Sequence, residues 1–249
     1  MINPRTTGIS KLFERWPWLQ TAAFVVPMIA HMLVPTVTGW FFDSSDASSE
    51  AMAFTVTVAA QIVVALLVFG FFFRTWLDHF RFRVSILAVV VGVVGYGLWV
   101  GICSLHPERQ FMSLFGWQNF GMSRGAFDPF TEIGSDLHRT IFLAMRFTTL
   151  ALVVPIAEEL FLRGFLVRWV EDVDLKSVRF DNLGWQAIIA PTVASVLTHP
   201  EILAAIVWFS LVTWLMIRTK SLWNCVVAHM VTNLLLGIHV VVTGEWGLW

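Results

Sequence analysis

The sequence predicts an all-α membrane protein: one domain over residues 1–249, built as a polytopic bundle of about seven transmembrane helices, with one short hairpin dipping into the bilayer. Three observations predict this. Apolar residues make up 57% of the chain and charged residues only 13%. The mean hydropathy is +0.74. Basic residues recur in every second loop between long apolar stretches. A soluble domain carries about 45–50% apolar and about 25% charged residues. At 249 residues the chain has an ordinary one-domain length, so an enlarged core does not explain the excess.

A spanning helix needs roughly 20 mostly apolar residues. Such stretches occur at Leu19–Phe42, Met52–Phe73, Val84–Leu105 and Thr140–Val154, the last running on through Pro155 to Val170. Two shorter arms follow, Trp185–His199 and Ile202–Ile217, then a final stretch at Leu222–Val242. The short arms suggest a hairpin turning at Pro200 inside the membrane, which is tolerated only within protein or a water-filled cavity. Between His106 and Arg139, Phe111, Phe115, Trp117 and Phe120 lie among polar residues, the pattern of an interfacial segment. The N-terminus is polar to about Trp16 and the first apolar stretch is too long for a signal core, so it reads as a retained anchor.

Orientation follows from lysine and arginine. Arg5, Lys11 and Arg15 precede the first span; Arg74, Arg81 and Arg83 follow the second; Arg163, Arg168, Lys176 and Arg179 follow the fourth; Arg218 and Lys220 precede the last. The other loops hold mainly Arg109 and Arg124, and Asp43, Asp46 and Glu50 make the first one acidic. The N-terminus is therefore expected in the cytoplasm and the C-terminus outside. A net charge of −1 gives no basic field for nucleic acid. Cys103 and Cys225 lie in apolar stretches and read as small hydrophobes.

Charged groups at bilayer depth are costly and mark function by default. The fourth span contains Glu158, Glu159 and Arg163. Glu159 and Arg163 are four residues apart and share a helix face, whereas Glu158 is turned about a third of a turn away and is free to face something else. The competing reading is a helix end whose three charges snorkel to the interface. Pro155 removes one ladder hydrogen bond and should kink this helix beside the acid pair. His199 falls at the hairpin turn, and His229 and Asn233, four apart, share a face of the last span. Alone, the last two could be a helix–helix hydrogen-bond pair. His31 and His239 have no polar partners at helical spacing and read as structural; Arg146 reads as snorkelling outward or pairing with Asp136 or Glu132.

Together these groups can perform hydrolysis. A carboxylate beside an imidazole can take a proton from water and pass it to a leaving group. An imidazole and a carboxamide can donate to a developing oxyanion. The chain has no His-Glu-x-x-His, and glutamate-activated water is the natural route. Cofactor content stays open between a divalent metal such as zinc, with Glu158, His199 and His229 as candidate ligands, and none.

The ordered set Glu158-Glu159-x-x-x-Arg163, then His199, then His229-x-x-x-Asn233 resembles the CPBP family, the type II CAAX prenyl proteases and bacteriocin-processing or Abi proteins. Lys220–Trp223 before the last helix is similar to the family too, and residues 140–237 carry the whole resemblance. It implies an intramembrane endopeptidase, annotated in the family as a metalloprotease. By the same resemblance Glu158 and His199 would activate water, His229 and Asn233 would form the oxyanion hole, and Glu159 and Arg163 would support them. The family usually has Phe four residues before its second-motif histidine; this chain has Ser195, which leaves the packing of His199 open. Gly97–Gly101 and Phe127–Phe130 resemble the bacterial subset associated with exosortase protein sorting, which implies an inner membrane.

The implied partners are membrane lipid and a membrane-associated protein or peptide substrate. Two other classes of function compete: a catalytically silent scaffold or regulator, and a proton-coupled transporter, which the lack of visible internal repeats disfavours. Orientation is directly testable. Reporters fused at Arg81, Lys176 and Trp249 should read inside, inside and outside; an inside C-terminus would overturn the seven-span arrangement.

Overall fold

The computed structural model describes residues 18–42, 47–105, 107, 110, 114, 126–175 and 177–248. Among them there are helices and no strands. In chain order they are α1 (Trp18–Gly39), α2 (Ala47–His79), α3 (Ile86–Leu105), α4 (Pro129–Glu132), α5 (Asp136–Glu171), α6 (Trp185–Val196), α7 (Ile202–Thr219) and α8 (Leu222–Thr243). A 3₁₀ turn at Trp246–Leu248 follows α8. The N-terminal basic residues, Asp43, Asp46, Arg109, Arg124, Lys176, Trp249 and the aromatic residues Phe111, Phe115, Trp117 and Phe120 lie outside the described residues.

Among the described residues, six helices are long and apolar enough to cross a membrane. Their outer faces carry large apolar side chains, such as Leu66 and Leu67, each more than two-thirds exposed. Water would not tolerate that on such a scale, and lipid does. The protein is thus an integral membrane helical bundle. The expected hairpin proves asymmetric. Its second arm, α7, has 18 residues and counts among the six, whereas α6 has only 12. At about 1.5 Å per residue, α6 reaches roughly 18 Å, little more than half the hydrocarbon thickness.

The fourth span differs most from the expected single kink. It runs for 36 residues and is broken by two π-turns, Thr149–Val153 and Leu160–Leu166, on either side of Val154–Glu159. Each shifts the bonding by one residue: Val154 N–H donates to Thr149 O and Val167 N–H to Leu162 O, both five back. The widened turn before Pro155 makes room for its ring, which would clash in a regular α-helix. The residues carrying Glu158 and Glu159 are thereby a short α-helical insert between two irregular turns.

Several motif residues explain how the helices dock. At Lys220, φ is 54°, a left-handed end to α7, and its Nζ donates to Phe180 O at 2.9 Å. Ser221 Oγ donates to Arg83 O at 2.7 Å and Trp223 Nε1 to Phe80 O at 2.8 Å, while Leu222 is fully buried. The Lys220–Trp223 run therefore pins the start of α8 to two loops. In Phe127–Phe130, Asp128 caps α4 at Phe130 N, 2.8 Å, and Phe127 stacks on Phe54 and meets Phe142 edge-on. Arg168, expected as a loop charge, is instead buried, donating to the carbonyls of Gly164 and Leu175 with its guanidinium over Phe24 and Phe80.

α3 approaches α7 closely because it presents glycine to Trp208. A methyl group on Gly95 would lie 2.1 Å from the Trp208 ring, whereas at Gly97 it would meet nothing within 4 Å. Gly95→Ala should cost about 1–3 kcal/mol of stability through overpacking. It should appear as a lower Tm in detergent, with Gly97→Ala unchanged; equal Tm values for both variants would refute the close approach.

Candidate active site

The site is built outward from a buried ion pair. Arg163 Nη1 donates to Glu159 Oε1 at 2.9 Å, and both side chains are fully buried. The pair is the one that the i, i+4 spacing anticipates, and it is buried inside the bundle. Arg163 Nη2 reaches across to α7, donating to Phe209 O at 3.2 Å and Thr213 Oγ1 at 3.5 Å. Glu159 Oε1 also receives His229 Nδ1 from α8 at 3.0 Å. One carboxylate oxygen thus joins α5, α7 and α8. The other, Oε2, has no hydrogen-bond partner among the described residues.

Glu158 faces elsewhere, as its rotation about the helix axis requires. Its side chain retains 15% exposure against 0% for Glu159, and it lines a cavity of about 320 Å³. His199, His229 and Asn233 line the same cavity. His229 Nε2 lies 3.9 Å from Glu158 Oε2, so this imidazole stands between the two glutamates. All four residues that the sequence nominates for catalysis meet at one cavity, and the two supporting residues seal it from behind. His199 reaches it from the turn that follows the 12-residue α6.

Hydrogen bonds fix which imidazole nitrogen is basic. His199 Nδ1 lies 2.9 Å from Ser195 O, an acceptor only, so Nδ1 carries the proton and the neutral ring leaves Nε2 bare. Ser195 does not leave His199 loose: its Oγ donates to Pro191 O at 2.7 Å, and its carbonyl holds the ring. The aromatic support comes from other helices. Trp99 of α3 and Phe209 of α7 meet the His199 ring edge-on, at 5.8 and 5.3 Å between centroids. Phe209 also approaches His229 at 6.3 Å, and Arg163 lies 5.5 Å over its ring.

Two residues that the sequence did not nominate for the site also line the cavity. His31, read as structural, lines the cavity from α1, and so does Arg146 from α5. His31 does have a polar partner, but on another helix: Gln61 Nε2 donates to its Nδ1 and to its carbonyl, both at 3.4 Å. That leaves Nε2 of the neutral His31 ring as the N–H, the opposite tautomer from His199. Asp136 pairs with Arg139. His239, also read as structural, has Tyr96 Oη at 3.1 Å and Glu245 at 3.4 Å. The intramembrane position of His31 and Arg146 was the one available signal.

The described residues do not present a metal site. No three His, Cys, Asp or Glu side chains among them come together as ligands. Glu159 is spent on Arg163 and His229, and His199 Nδ1 on a carbonyl.

Against known proteins, residues 140–235 match the family model described as Type II CAAX prenyl endopeptidase Rce1-like. The matched segment, which contains α6 and α7 entirely and most of α5 and α8, is similar to this CAAX-protease family. No curated protein and no solved structure matches the chain.

Removing one partner of a buried pair strands the other charge, at a cost of about 3–5 kcal/mol, whereas exposed pairs contribute about 0–1 kcal/mol. Arg163→Ala should therefore sharply reduce folded yield, and Arg179→Ala, which breaks the exposed pair with Asp181, should not. Normal yield and Tm in Arg163→Ala would place the pair in water.

Proposed function

We propose that the chain is an intramembrane endopeptidase that hydrolyses a peptide bond of a membrane-associated protein or peptide by glutamate-activated water. The observation that carries this reading is the division of labour between neighbouring carboxylates: Glu159 is sealed in the ion pair while Glu158 opens onto a cavity shared with His199. In this reading Glu158, with the bare Nε2 of His199, takes a proton from water. The hydroxide oxygen adds to the scissile carbonyl carbon. His229, oriented by its Nδ1 contact with Glu159, and the amide of Asn233 donate to the oxyanion. The C–N bond then breaks, and the proton first taken from water passes to the leaving amine. No step is routed through a metal.

The family match supports peptidase chemistry, and the helices support a membrane-embedded substrate. The basic loops and the resemblance to the exosortase-associated subset support a bacterial inner membrane with the N-terminus in the cytoplasm. A prenyl group on the substrate is not required by anything lining the cavity.

Glu158→Gln keeps size and hydrogen bonding but removes the base, so turnover should be lost while the protein folds. Protein termini should be compared between cells producing equal amounts of wild-type and Glu158→Gln protein. Termini present only with the wild type are expected; identical sets would overturn the protease reading in favour of a silent scaffold.

A further inference from the structure

The first π-turn leaves one backbone carbonyl without its helical donor. In that turn Val154 N–H reaches back five residues to Thr149 O. In the same register Leu150 O awaits the N–H of residue 155, which is proline and has none. An unmet carbonyl at membrane depth is strongly unfavourable. Asn233 of α8 meets the need: its Nδ2 donates to Leu150 O at 3.0 Å.

We propose that Asn233 is a positioning residue that replaces the missing Pro155 donor and so holds α5 in the register that sends Glu158 to the cavity and Glu159 to the ion pair. Successive helical residues are rotated by about 100°. Glu158 and Glu159 are therefore separated by one residue's rotation, the same amount by which a π-turn shifts the register. If the turn relaxes, the directions of the two glutamates are no longer distinct. Pro155 lies three residues before Glu158, less than one turn, so the lock acts where that phase is set. Asn233 lines the cavity with its second amide N–H still available, so this role is compatible with oxyanion binding and does not depend on it.

The test uses the purified full-length chain in detergent and needs no substrate, so its outcome is separate from that of the protease reading. Asn233→Ala should lower the Tm by several degrees. Adding Pro155→Ala supplies an N–H at position 155, and the double variant should recover most of the loss. A double variant as unstable as the sum of its single changes overturns the proposal. If Asn233→Ala yields no folded protein, the amount of monodisperse protein replaces Tm: recovery in the double variant supports the lock, and failure while Pro155→Ala alone folds overturns it. A second readout follows the register itself. Dicyclohexylcarbodiimide, an apolar carboxyl reagent, should label Glu158 in the wild type, spread to Glu159 in Asn233→Ala, and return to Glu158 in the double variant. Label confined to Glu158 in all three, or already shared with Glu159 in the wild type, overturns it.

Discussion

A guanidinium with no access to water must find its counter-charge and its acceptors within the bundle, and Arg163 does so with Glu159 and Phe209 O. Such a pair gives little net stability, because desolvating both ions offsets most of their attraction. What it gives here is position. Glu159 Oε1 is the common acceptor for Arg163 and His229, so the imidazole of α8 can sit in only one place relative to α5. The cavity arrangement follows: with Glu159 committed, the adjacent carboxylate is the one left to face the space between α1, α5 and α8.

Much of the fold was legible because lipid leaves a simple signature. Apolar length located the spans, and α7 and α8 begin at the residues expected. The ion pair and the shared face of His229 and Asn233 followed from helical spacing alone. The short reach of α6 was legible too, since the site could assemble only if the hairpin turned at depth. Other features left no local trace. A π-turn is a one-residue change of bonding register, and only Pro155 hinted at it. His31 looked isolated because its partner Gln61 is 30 residues away on a separate helix. Arg168 looked like a loop charge because nothing in sequence shows Phe24 and Phe80 meeting beside its guanidinium.

The segment shared with the family does not enclose the cavity by itself. Trp99 comes from α3, and Met28, His31 and Met32 come from α1, all outside residues 140–235. α1 is held against α2 by the Trp76 indole on Ala23 O at 2.7 Å and by Thr38 with Thr57 at 2.7 Å. Interhelical hydrogen bonds of this kind contribute about 1 kcal/mol each in lipid. The wall opposite the motif residues is therefore made by helices whose sequences answer to packing rather than to the chemistry.

Phe209 has a thermodynamic consequence. Its ring touches His199 and His229, its face carries Arg163, and its carbonyl accepts from the same guanidinium. Groups that share a neighbour do not respond independently when altered. Free-energy changes measured one at a time at His199, His229 and Arg163 should then fail to sum to the effect of changing them together, and the discrepancy measures how strongly one aromatic side chain makes three polar residues behave as a single unit.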